Sequence, residues 1–256
     1  MQSRWGWLLL SIALAETANL SMILVAWIRH RNEPNWRVVS AWTARLQRNS
    51  WVYLVRLLYA VGLPAFAYLT QGVLTARGLG LQSMTEGLTT RSAVIADWAT
   101  DVGWALLIIT IVWLVITVGR IQAGQTQSGF ELGDGLPAFF EALYHQAHWA
   151  FYREPFVLAL GPAAGSWVGA ILAMSEALTN PGWWTDIHAT RRKASIIGYG
   201  ALLIASTALY GLTQNLWVAI LAGGLLRWSL GLKPPTRVAG TRHSPATRRI
   251  KAPSMR

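Results

Sequence analysis

The sequence predicts an all-α, polytopic membrane bundle of about seven transmembrane helices, with the N-terminus outside and the C-terminus inside. Three observations lead there. Of 256 residues, 53% are hydrophobic and 13% charged, whereas about a quarter of an ordinary soluble domain is charged. Such a chain could bury a large core but could not then cover its surface with polar side chains. Apolar runs long enough to cross a bilayer recur along the chain, and the basic residues fall on one side of the membrane when those runs alternate. Fifteen Trp residues and a positive mean hydropathy agree.

The first run covers residues 5–28 and holds one acid, Glu16. Arg4, the apolar stretch and Ala13-Leu14-Ala15 resemble a signal peptide. Hydrophobicity continues past that point, however, and stops at Arg29-His30-Arg31, so an uncleaved first helix is the expectation. The second run, 51–74, has Arg56 near its start and Pro64 in its middle; the third, 98–119, has no charge between Asp101 and Arg120. The fourth, 136–152, is apolar apart from Glu141, His145 and His148, and the fifth, 155–178, carries Glu176 near its end. The charge-free stretch 194–226 would be about 50 Å long as one helix, too long for a hydrocarbon core of about 30 Å. Its polar break Gly211-Leu212-Thr213-Gln214-Asn215 predicts a hairpin divided near residue 213, with the seventh span ending near Leu232.

Charge supports this count. With the N-terminus outside, the inner loops and tail hold sixteen basic residues, against Arg4, Arg77, Arg91 and Arg153 outside. That bias places the protein in the cytoplasmic (inner) membrane with residues 1–232 as one transmembrane domain. Residues 233–256 read as a basic, disordered cytoplasmic tail able to touch anionic headgroups. The net charge of +11 is therefore topogenic and does not point to nucleic acid. The partners expected are the lipid bilayer and a membrane protein or peptide substrate. The absence of Cys excludes disulfides and Cys-ligated metals.

Ionisable groups at bilayer depth are costly and are functional candidates by default. Glu141, His145 and His148 follow spacings of four and three, which place them on one helical face. An acid and two imidazoles can ligate a divalent metal such as zinc or iron, relay protons or activate water. They can equally pair with one another, with Arg56 or with neighbouring helices, as polar residues between membrane helices commonly do. Glu176 is a candidate fourth member. Glu16, with Thr17 and Asn19 beside it, reads as an interhelical network; Arg56 reads as a snorkelling or pairing cation. Trp183-Trp184 and the Trp residues at span ends read as interfacial anchors. No G-x-S-x-G, Walker loop, H-E-x-x-H or dinucleotide fingerprint occurs.

Residues 209–227, LYGLTQNLWVAILAGGLLR, resemble the last motif segment of the CPBP family, the CAAX-protease and bacteriocin-processing type of intramembrane glutamic endopeptidases. Residues 56–64 and Gly78-Leu79-Gly80-Leu81 are similar to that family's early region, and the resemblance covers about residues 50–232. It implies a helical membrane scaffold in which paired glutamates activate water and histidines stabilise the oxyanion. The family's E-E-x-x-x-R motif lands on His145, Gln146 and Ala150. Its F-x-x-x-H lands on Leu172 to Glu176, and its H-x-x-x-N on Gly223 to Arg227. No motif is intact, so the inherited mechanism lacks its general base and polarising partners.

Two functions remain. In the first, the scaffold persists as a binding, assembly or accessory subunit of a membrane complex, to which small residues such as Gly165, Gly169 and Ala173 could contribute packing. In the second, it is an active intramembrane peptidase with a rebuilt, metal-dependent or metal-free site made of Glu141, His145, His148 and Glu176. A transporter is less favoured, because no internal repeat or pair of broken helices is visible.

Overall fold

The computed structural model describes residues 2–30, 51–70, 74–81, 91–122, 135–181, 183 and 193–231. Among these, all regular structure is helical: α1 (Gln2–His30), α2 (51–69), α3 (Ala76–Leu79), α4 (Arg91–Gln122), α5 (Gly135–Leu160), α6 (Pro162–Thr179), α7 (Lys193–Thr213) and α8 (Leu216–Ser229). The tail 233–256, most of the basic inner loops and Trp184 lie outside the described residues.

Among the described residues, three helices are long and apolar enough to cross a membrane: α1 over Arg4–Val25, α4 over Ala96–Gln122 and α7 over Ile196–Thr213. The others are shorter or more polar. With 14 residues, α8 is about 21 Å long, less than the hydrocarbon thickness.

Contacts between helices fix their directions. Arg4 at the start of α1 and Thr75 before α3 both meet Glu154, late in α5. Asp101, early in α4, meets Asn215 at the start of α8, and Arg120, late in α4, meets the Leu230 carbonyl beyond the end of α8. Arg56, early in α2, meets Glu141, early in α5. Consecutive long helices therefore alternate in direction. One end of the bundle carries Arg4, Asp101, Glu154 and Asn215, and the other carries Arg56, Arg120, Glu141 and Arg227.

Local sequence explains the helix joints. In α2, helical turns at Trp51–Leu57 and Leu63–Leu69 are joined by a π-helical turn at Leu58–Gly62. Pro64 lacks an N–H and crowds the carbonyl four residues back, and a widened turn accommodates both effects. Between α7 and α8, Asn215 caps α8 by accepting from the Trp217 and Val218 amides. This is the break expected near residue 213.

The boundary between the fourth and fifth runs is corrected. The α5 helix does not stop at residue 152; it passes through Pro155 and ends at Leu160. The turn comes at Gly161, whose φ of 83° suits glycine, with Pro162 opening α6. Arg153, expected in an outer loop, is instead 1% exposed inside the bundle, and Glu154 is fully buried.

The α5–α6 hairpin is the tightest interface. A Cβ added at Gly169 would lie 2.6 Å from Arg153 Cγ and 2.7 Å from its Cα, and one added at Gly165 would strike the backbone of Phe156 and Val157. Gly165, Gly169 and Ala173 are all buried, so this small-residue face packs within the chain. By contrast, only 6% of the most apolar stretch of α4 is buried, which suits a helix bathed in lipid on most of its circumference.

Candidate functional site

The long polar face of α5 passes through the middle of the bundle, and its neighbours divide it into three clusters. The first lies at the Arg56 end. Arg56 of α2 donates from Nη1 to Glu141 Oε1 at 2.6 Å and from Nη2 to Glu141 Oε2 at 2.5 Å. The guanidinium also lies over the Tyr144 ring, 5.4 Å from its centroid. This two-pronged geometry engages both carboxylate oxygens and is the strongest form of the pair.

His145 sits 4.0 Å from the Glu141 carboxylate through Nδ1 but does not bond to it there. Instead, Nδ1–H donates to the Glu141 backbone carbonyl at 2.6 Å. The ring is set edge-on against Trp149 and Tyr199. Arg227 of α8 brings Nη2 to 3.3 Å from the same Nδ1.

The second cluster joins four helices. Glu176 of α6 accepts from His148 Nε2 at 2.9 Å and from Tyr59 Oη at 2.9 Å. Tyr59 Oη lies 3.1 Å from Tyr152 Oη, which lies 3.3 Å from Ser11 Oγ. Because the single Tyr59 proton goes to the carboxylate, Tyr152 donates to Tyr59, and Ser11 Oγ also donates to Tyr59 Oη at 3.3 Å. His148 Nδ1 is buried without a partner among the described residues.

In the third cluster, Ser206 of α7 donates to Gln146 Oε1 at 2.6 Å, and Arg153 Nη1 reaches the Ser206 carbonyl at 3.4 Å. The Arg153 guanidinium lies 4.1 Å above the centre of the Tyr210 ring. Among the described residues its Nε and Nη2 have no hydrogen-bond partner, and neither does Glu154 Oε2. Beside Gln146 lies a cavity of about 10 Å³, lined also by Ser206, Leu209, Ala222 and Gly223, which is room for one water.

The four expected site residues are thus separated. Glu141 and His145 face α2, α7 and α8, whereas His148 faces α2 and α6 and meets Glu176. Residues three apart on a helix differ by about 60° in direction, enough here to send the two histidines to different neighbours. Among the described residues, no group of three His, Asp or Glu is placed to hold a metal.

Glu16 behaves as the sequence suggests: Asn19 donates to Thr179 Oγ1 at 3.0 Å, and Thr179 donates to Glu16 at 2.8 Å. Ser11, Tyr59, Tyr152 and Arg227 were not identified as site residues from sequence. One signal existed: Ser11 and Asn19 share the buried face of α1 with Ala15, at spacings of four.

Arg227 meets His145, and a Cβ at Gly223 would lie 3.3 Å from Gln146 Nε2. Comparison with protein-family models, curated proteins and solved structures returns no match.

Proposed function

We propose that the chain is a multi-pass membrane scaffold on a CPBP-like framework. It binds or assembles with another membrane protein rather than cleaving peptides. The observation that carries this reading is the fate of its two candidate catalytic acids. Glu141 is clamped by both prongs of Arg56, and Glu176 accepts from His148 and Tyr59. Each carboxylate ties one helix to another, whereas a general base needs an open face towards a water or substrate. The cavity beside Gln146 and Gly223 holds about 10 Å³, far less than an extended peptide needs. A seven-span arrangement in the cytoplasmic membrane, with the tail inside, fits the alternating helix directions and the charge bias.

One observation favours the second reading, a rebuilt peptidase. His148 pairs with Glu176 while its other ring nitrogen stays buried and unpartnered, which is how an imidazole is oriented when its free nitrogen does chemistry. Reconstituted protein separates the two. Native and Glu176→Gln chains are tested for hydrolysis of quenched transmembrane peptides and, after crosslinking in the native membrane, for a stoichiometric partner. The scaffold reading expects no hydrolysis and a partner that survives His148→Ala. Hydrolysis lost in Glu176→Gln and His148→Ala would establish the peptidase.

A further inference from the structure

Residues 74–81, which include α3, are seated in the end of the bundle that carries Arg4. Leu74 and Leu79 are buried there. The Gly78 carbonyl accepts from Tyr210 Oη of α7, and the Gly80 carbonyl accepts from the Leu216 amide at 2.9 Å. The Thr75 amide donates to Glu154 Oε1 at 3.2 Å. Close approach requires both glycines. A Cβ at Gly78 would lie 2.5 Å from Glu154 Cγ, and one at Gly80 would lie 2.7 Å from the Gln214 carbonyl oxygen. The segment is a plug held largely by its own backbone.

Beneath it lie two incompletely paired charges. Glu154 is fully buried. Thr75 serves its Oε1, Arg4 Nε stands 3.9 Å from the same oxygen, and Oε2 has no partner among the described residues. Arg153 is buried as completely, and its Nη1 makes only long contacts to Ser206, at 3.4 and 3.5 Å. Its Nε and Nη2 have no partner among the described residues, where no carboxylate forms an ion pair with it. Tyr210, whose hydroxyl holds the plug, covers its face.

Buried charges without hydrogen-bond partners are costly, and the cost is felt only while water is excluded. We propose that residues 74–81 are a gate, which lifts from the Arg4 end to admit water to Glu154 and, through release of Tyr210, to Arg153. Burial of Leu74 and Leu79 and the backbone bonds favour the closed state; hydration of the two charges favours the open one. These opposing contributions meet on one short segment, so opening is local and the helices stay packed. The gate is independent of whether the chain assembles with a partner or cleaves peptides.

The chain has no Cys, so a single introduced thiol reports alone. Leu79→Cys reads the plug. Leu203→Cys, at an equally buried leucine of α7, reads general opening of the bundle. Each full-length variant is treated in neutral detergent with a charged, water-soluble thiol reagent. Leu79→Cys should react about tenfold faster than Leu203→Cys, and adding Arg153→Met should slow it about tenfold, because opening then no longer hydrates that charge. If the Met variant does not fold, Glu154→Gln serves, with slowing in the same sense. Gly80→Ala, which forces the plug off the Gln214 carbonyl, should speed Leu79→Cys and leave Leu203→Cys unchanged. Equal rates at the two thiols, a Leu79→Cys rate unmoved by loss of the charge, or a Gly80→Ala effect on both thiols alike would overturn the proposal.

Discussion

Arg56 and Glu141 lie 85 residues apart in sequence, and both guanidinium amino groups of the first meet both carboxylate oxygens of the second. The pair staples α2 to α5 at one end of the bundle. Glu141 is only 10% exposed on its side chain. Removing Arg56 leaves that charge in a poorly solvating site, the costly way to break such a pair. Arg56→Gln should lower stability by about 2 kcal/mol, and the double change Arg56→Gln with Glu141→Gln should recover part of the loss. Equilibrium unfolding in mixed micelles across the four-member cycle reads the coupling directly.

The hairpin of α5 and α6 depends on glycine at a contact where nothing larger fits. Gly169→Ala puts its methyl against the Arg153 backbone, and separating the helices should cost about 2 kcal/mol. Gly103→Ala is the matched control, because nothing lies within 4 Å of its Cβ position. It should be neutral or stabilising by about 0.5 kcal/mol, since alanine is the better helix former. Thermal unfolding of the two variants side by side checks the contrast.

Asn215 uses both ends of its amide: the oxygen caps α8, and Nδ2 donates to Asp101 Oδ2 at 2.9 Å. Asn215→Ala should cost about 1–2 kcal/mol through the lost cap alone. Asn215→Asp keeps the cap but sets two carboxylates against each other, so it should also destabilise. Adding Asp101→Asn to that variant should restore stability, as measured by unfolding of the double variant.

Much of the architecture was legible in the sequence. Apolar run length located α1, α4 and α7, and the polar break ending in Asn215 located the turn before α8. Spacing also identified the small-residue side of α6. The extent of α5 was not legible, because Pro155 and the charges Arg153 and Glu154 all imitate a helix end. They are tolerated because Tyr210, Ser206 and Thr75 cover them from other helices. The division of Glu141, His145 and His148 was hidden for a related reason. Spacing shows which residues share a face, but a central helix has neighbours on every side, and only tertiary packing decides which neighbour each side chain meets. Arg227 fell within an apolar run and drew notice only as a departure from a motif.

Metal content follows from the same geometry. Arg56 occupies both Glu141 oxygens, the His145 Nδ1 proton occupies its own helix, and His148 is turned towards Glu176. Elemental analysis of the purified chain should find no stoichiometric zinc or iron, and chelator should leave its melting temperature unchanged. About one metal per chain, lost in both His145→Ala and His148→Ala, would require these side chains to regroup.

The scaffold reading treats Glu176 as a structural acceptor for His148 and Tyr59, and the stability of Glu176→Gln tests that most directly. A carboxamide cannot accept both bonds with the strength of a carboxylate, so the melting temperature should fall by several degrees, roughly the shift that 1–2 kcal/mol gives in a chain of this size. Catalytic groups behave oppositely, because their removal commonly relieves strain held for function. A Glu176→Gln chain as stable as the native one, or more stable, and lacking a peptide hydrolysis that the native chain performs, would contradict the account.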